Sequence, residues 1–193
     1  MKRQGRLVYV ALALILIGGG AMFWRSGSSS SDAPNMATFG FQDWLVRCQA
    51  VKDSAGCGIT QQILDQRSGQ PVLQLALAST KAGYQLAVVV PLGVSVPDGV
   101  TVQIGDATRK IGYTQCLPGG CVAPLATDAA LIDKMKSATD ARIAVIDRTG
   151  KPIAVPFSLK GFGPAFDKME TKGGLGSAGS SWWSALLGQP AGK

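Results

Sequence analysis

Pro71-Val72-Leu73-Gln74-Leu75-Ala76-Leu77-Ala78-Ser79, followed after four residues by Tyr84-Gln85-Leu86-Ala87-Val88-Val89-Val90, sets the architecture. Leu73, Leu75 and Leu77 alternate with Gln74 and Ala76, the period of a half-buried strand. The second run ends in unbroken apolar residues, as a central strand buried on both faces does. Short apolar runs separated by turn residues continue on both sides. They predict strands at 40–49, 57–65, 100–105, 109–115, 121–125, 141–147 and 152–160. Pro91, Pro97-Asp98-Gly99, Pro118-Gly119-Gly120 and Asp147-Arg148-Thr149-Gly150-Lys151 supply the turns. Strands this short at this spacing predict an all-β sandwich.

Two short helices interrupt the pattern. Thr127 is placed to cap a helix over 128–137, with Asp128 in its first turn and Lys134 and Lys136 near its end. Leu131, Ile132 and Met135 form its apolar stripe, and the two lysines read as a solvated face. Gly163-Pro164-Ala165-Phe166-Asp167-Lys168-Met169 predicts a second helix with proline at its first position and Phe166 turned to the sandwich.

Cys48, Cys57, Cys116 and Cys121 are an even set downstream of an export signal, a context that favours disulfides. Cys48 ends one alternating run and Cys57 begins the next. Cys116 and Cys121 flank a Pro-Gly-Gly turn. These placements predict the pairs Cys48–Cys57 and Cys116–Cys121, each closing a loop worth roughly 2–3 kcal/mol. Neither spacing is the C-x-x-C of a redox pair, and none has the C-x2-C spacing of a zinc site.

That export signal is the N-terminus. Lys2, Arg3 and Arg6 precede an uncharged run from Leu7 to Trp24. As a helix its eighteen residues span roughly 27 Å, close to a hydrocarbon core about 30 Å thick. Residues 1–24 are therefore a transmembrane signal anchor or a signal peptide cleaved near Ala21. Met22, Phe23 and Trp24 prolong the apolar run and favour the anchor, with the basic residues cytoplasmic and the rest exported. Residues 25–38, rich in Ser and Gly, read as a flexible tether. The expected location is the inner membrane, single-pass, with the domain in the periplasm; the alternative is a periplasmic or surface protein after cleavage.

The net charge of +7 sits mainly at the ends. Between 39 and 170, thirteen basic residues face eleven acidic ones, leaving +2. No clustered basic stripe marks a nucleic-acid surface. Histidine is absent, which removes Ser-His-Asp and Cys-His catalysis and histidine metal ligands. Carboxylates comprise eleven Asp and Glu170 alone. Asp98, Asp106 and Asp147 lie beside glycine or in turns, where they serve the turn. Ile104-Gly105-Asp106-Ala107-Thr108 lacks phosphate-loop and dinucleotide spacing. The expectation is a protein that is no enzyme, with no metal and no cofactor.

Phe41-Gln42-Asp43-Trp44-Leu45-Val46-Arg47-Cys48 with Cys57 and Gln61, Val90-Pro91-Leu92-Gly93-Val94, Gly99-Val100, Cys116 with Gly120-Cys121, and Ser158-Leu159-Lys160-Gly161-Phe162 with Ala165-Phe166 occur in that order. Together they resemble the invasion-associated locus B family of exported bacterial proteins, over residues 39–170. The resemblance implies an immunoglobulin-like sandwich, an envelope or surface location, and no catalytic residues. By position it makes Trp44 a core aromatic, matches the four cysteines, and makes Gly161-Phe162 a strand-to-helix corner.

After Lys172 a Gly/Ser linker leads to Trp182-Trp183-Ser184-Ala185-Leu186-Leu187, an apolar knot too short to span a bilayer. In the tail 171–193, Trp182, Trp183, Leu186 and Leu187 are the candidate docking residues, for a membrane interface or a protein groove. The expected function is a membrane-tethered periplasmic binding or accessory protein whose protein partner lies in the cell envelope. The alternatives are a secreted or surface-exposed factor in host-cell invasion and a thiol–disulfide oxidoreductase.

Overall fold

The run from Leu73 to Val90 forms the middle of an antiparallel sheet in the computed structural model, which describes residues 36–51, 54–80 and 83–173. Five strands follow one another across it: β1 (Met36–Phe41), β2 (Trp44–Val51), β3 (Ser54–Leu64), β4 (Pro71–Thr80) and β5 (Gly83–Val90). Beyond β5 lie β9 (Gly120–Thr127) and, at the edge, β8 (Gln115–Leu117). The second sheet has four strands in the order β11 (Pro152–Pro156), β10 (Ala141–Ile146), β6 (Val100–Ile104) and β7 (Ala107–Ile111). Helix α1 (Ala129–Ser137) follows β9 and α2 (Phe162–Lys172) follows β11. The result is an all-β sandwich with two short helices. Its division into seven and four strands differs from the four and three of a constant-type immunoglobulin domain.

Alternation places the core. Trp44, Val46, Ile59, Leu73, Leu75, Leu77, Leu86 and Val88 face inward from the larger sheet. Val100, Val102, Ile104, Ile143 and Val145 face them from the smaller one. Each fully buried aliphatic side chain contributes about 1.5–3 kcal/mol against exposure. Leu131, Ile132 and Met135 bring α1 into this core, and Phe162, Ala165, Phe166 and Met169 bring α2.

Several expected boundaries move. The strand at 40–49 is two strands, turned at Gln42-Asp43 with Gln42 at φ 53°. Because β1 starts at Met36, the tether expected through residue 38 ends earlier. The strand at 109–115 divides into β7 and β8, and the one at 152–160 stops at Pro156. Asp128, not Thr127, caps α1: its carboxylate accepts from the Leu131 N–H at 2.8 Å, while the Thr127 hydroxyl donates to the Leu125 carbonyl. In α2 the cap is Gly161 and Pro164 is the third helical residue, still where its missing N–H has no intrahelical partner to lose. That helix runs on to Lys172, two residues past the expected domain end. The segment Leu7–Trp24 and the tail residues Trp182, Trp183, Leu186 and Leu187 lie outside the described residues.

Candidate functional site

Register brings the cysteines together. Cys48 lies directly opposite Cys57 in the β2–β3 pair, and Cys116 opposite Cys121 in β8–β9. Both pairs are disulfides, and no cysteine is free. Cys57 and Cys121 are buried, whereas Cys116 is exposed. Both bridges tie neighbouring strands near the ends of the larger sheet, so their local effect is to hold register.

A second knot forms where the smaller sheet returns to α2. Trp44 Nε1 donates to the Ser158 carbonyl at 2.9 Å, and Gln61 Nε2 donates to the same carbonyl at 3.0 Å. Gln61 also donates to the Asp43 carbonyl at 3.2 Å, while its Oε1 is buried without a partner. The Trp44 indole meets Phe162 edge-on, with centroids 5.2 Å apart, and Phe162 lies 6.0 Å from Phe166. Gly161, at φ +85°, seats this corner directly on the Phe41 carbonyl oxygen. Three segments distant in sequence therefore meet at Ser158: the β1–β2 turn, β3 and the lead into α2.

Charged groups fasten the helices. Lys134 pairs with Asp106, tying α1 to the β6–β7 turn. Lys136 pairs with Asp167 at 3.0 Å and lies over the Phe166 ring, tying α1 to α2. The solvated lysine face expected of α1 thus also carries two inter-element contacts. Tyr84 donates to Glu170 at 2.9 Å, and its hydroxyl is held above its ordinary pKa, first by burial and then by that carboxylate.

Two of the three turn carboxylates considered from sequence, Asp106 and Asp147, are held in local contacts. Asp147 accepts from the Thr149 hydroxyl and from the Thr149 and Lys151 N–H groups, which lower its pKa, the Thr149 hydroxyl most. The Lys134 ammonium lowers that of Asp106. Asp65, in the β3–β4 turn, is lowered chiefly by the Ser68 N–H. All three lie in turns and are stabilised as anions. Among the described residues no cluster of three or more potential metal ligands occurs.

The open surfaces are grooves at the sandwich margins. One of about 550 Å³ runs between β3 and the segment after β11, lined by Ile63, Leu64, Pro156 and Phe157 with Asp43, Gln61, Gln62 and Ser158. Leu64 is 49% exposed at its rim. Another of about 430 Å³ is lined by Gln103, Asp140, Arg142 and Phe157 among others. Among the described residues the first is lined by one carboxylate, Asp43, and the second by one, Asp140. The mixed apolar and polar lining of the first suits the binding of another surface. Sequence reading singled out Gln61 only as part of a pattern; its buried amide has no signature beyond a polar residue on an inward-facing strand position.

The family description Invasion associated locus B (IalB) protein matches residues 44–170. The chain is 34% identical over 133 residues to an invasion protein B homolog of Brucella abortus (strain 2308), covering 67% of this chain and 77% of that one. The invasion protein B homolog of Brucella abortus biovar 1 (strain 9-941) matches to the same extent. The fold is similar to the crystal structure of invasion associated protein b from Bartonella henselae, with a TM-score of 0.64 and 19% identity. That match covers 70% of this chain and 95% of the other.

Proposed function

We propose that this chain, which belongs to the invasion associated locus B family, is a non-enzymatic binding protein of the bacterial envelope. It is held at the inner membrane by Leu7–Trp24, with the sandwich in the periplasm and a protein partner in an envelope or inner-membrane complex. The observation that carries this reading is the β3–β11 margin, a groove lined half by apolar residues and holding one carboxylate, on a domain whose perturbed acidic side chains serve turns and ion pairs. The two disulfides suit an oxidising compartment. Trp182, Trp183, Leu186 and Leu187 are the tail's docking element.

Leu64→Lys tests the groove. The side chain is half-exposed, so folding is expected to change by no more than about 0.5 kcal/mol. Cross-linking of the variant to its envelope partner in intact cells is expected to fall several-fold. Unchanged cross-linking would remove the groove from the binding surface.

The relatives' names favour a second reading, a secreted or surface-exposed factor contributing to host-cell invasion. It requires cleavage of the N-terminal segment. A mature protein that begins at Met1 would exclude it.

A further inference from the structure

Strand β3 outruns its neighbour β2. Their register begins at Leu45 opposite Thr60, and the β1–β2 turn at Gln42-Asp43 carries the chain away beyond Trp44. Gln62, Ile63 and Leu64 therefore have β4 on one side and no described strand on the other. Which backbone groups face the open side follows from Cys48 and Cys57, register partners whose Cα atoms are 4.0 Å apart. That spacing marks the close pair of an antiparallel ladder, which exchanges no bonds; hydrogen-bonded pairs stand about 5.5 Å apart. Accordingly the Cys57 N–H donates away from β2, to the Gly173 carbonyl at 2.9 Å. Alternation then turns Gly58, Thr60 and Gln62 toward the β2 side and Ile59, Gln61 and Ile63 toward β4. Asp43, which would face Gln62, gives its N–H to the Lys160 carbonyl and its own carbonyl to the Gln61 amide. On that side the Gln62 N–H and C=O have no backbone partner among the described residues.

This open edge is one bank of the β3–β11 groove, which Gln62, Ile63 and Leu64 all line. The other bank is closed to strand pairing. The Phe157 N–H donates to the Ala141 carbonyl at 3.0 Å in continuation of the β10–β11 register, so Val155 and Ile153 bond inward too. Pro152, Ala154 and Pro156 are left facing outward, and the two prolines have no N–H to give. Between the banks, Leu64 offers a half-exposed apolar side chain together with Pro156 and Phe157. Asp43 is the one ionisable side chain of the lining, and no cation lines the groove with it. An unpaired strand edge, an apolar wall and a single carboxylate fit one occupant: extended chain carrying a basic side chain beside an apolar one.

We infer that an extended segment of the protein partner adds to β3 at Gln62, with an apolar side chain against Leu64 and Phe157 and a Lys or Arg at Asp43. The inference rests on the reading of this groove as the partner-binding surface and names what enters it. The partner residue opposite Gln62 exchanges both backbone hydrogen bonds with it, which sets the register. Side chains on either side of that residue fall on the opposite face of the added strand. A helix cannot take this place, because its own backbone groups are bonded internally.

The test uses full-length protein in mild detergent, with a displayed library of random heptapeptides as the probe. Enriched peptides are expected to share a Lys or Arg next to an apolar residue. N-methylation of the residue opposite Gln62 is expected to weaken binding about tenfold, the loss of one hydrogen bond, while the adjacent position tolerates it. Asp43→Lys changes an exposed side chain and is expected to shift the selection to acidic peptides. In amide exchange, Gln62 is expected to be fast in the free protein and slowed by an enriched peptide, with Ile63 slow in both. No enrichment, an acidic or helically spaced consensus in the unaltered protein, or methylation tolerated at every position would overturn the inference. So would a selection indifferent to Asp43→Lys, or a Gln62 amide protected without peptide. Cross-linking of Leu64→Lys reads the groove's use in cells, so its loss without such a peptide consensus would overturn the strand mode alone.

Discussion

Gly161 has no substitute at its corner. Its φ of +85° lies in the left-handed region, and an added methyl group would meet the Phe41 carbonyl oxygen. Gly161→Ala is expected to destabilise by more than about 2 kcal/mol in chemical denaturation, combining backbone strain with a clash against fixed backbone. Tyr113 poses the opposite case. Its hydroxyl is buried without a partner, and burial pushes its pKa up to about 12. A phenol whose folded value is raised contributes stability that is present below about pH 10, its unfolded value, and lost as the pH climbs through the folded one. Tyr113→Phe removes an unsatisfied group, so it is expected to be neutral or mildly stabilising at pH 7 and to lessen the alkaline loss of stability. Urea midpoints at pH 7 and pH 11 measure both. Trp44 was legible as a core aromatic through the family resemblance, and the cysteine pairs through the turns between them. Gln42 was not. It takes a positive φ without being glycine, so nothing in Phe41-Gln42-Asp43-Trp44 announces the turn.

Strands and their staples obey more local rules. Alternation in β4 and the apolar run in β5 gave the centre of the sheet to within one residue at each end, since both lie where burial is strongest. Edges were harder to read, because β7 and β8 are short and exposed and carry no strong apolar period. Both helices were visible through Leu131, Ile132 and Met135 and through Phe166 and Met169. Their caps shifted because Thr127 is spent on its own strand and Gly161 fits a left-handed corner that Pro164 cannot make. The disulfides followed from turns. Replacing Cys48 and Cys57 together by serine is expected to cost roughly 2–3 kcal/mol, and the same change at Cys116 and Cys121 about 2 kcal/mol, because the second loop is shorter. Thermal unfolding of the two double variants would check the order; a larger loss at the shorter loop would contradict the loop-entropy account.

At the scale of the molecule, the seven-stranded sheet is buried on both faces at its centre, and that governs what surface remains for partners. One face carries the core and helices, the other the Ala76–Val122 cluster, and the open groove lies at the β3–β11 margin. The sandwich was legible from strand spacing. The outer cluster was not, because alanines between leucines look like the solvent half of an alternating strand. The groove escaped notice for a similar reason: Leu64 and Phe157 lie 93 residues apart and meet only in the fold. The central claim is that this domain works as a binding partner held at the inner membrane. Native full-length protein extracted in mild detergent and analysed by intact and cross-linked mass spectrometry tests it most directly. The account predicts an uncleaved chain beginning at Met1, recovered in a stable assembly with a second envelope protein. A lone chain beginning near residue 22, recovered in soluble form, would contradict it.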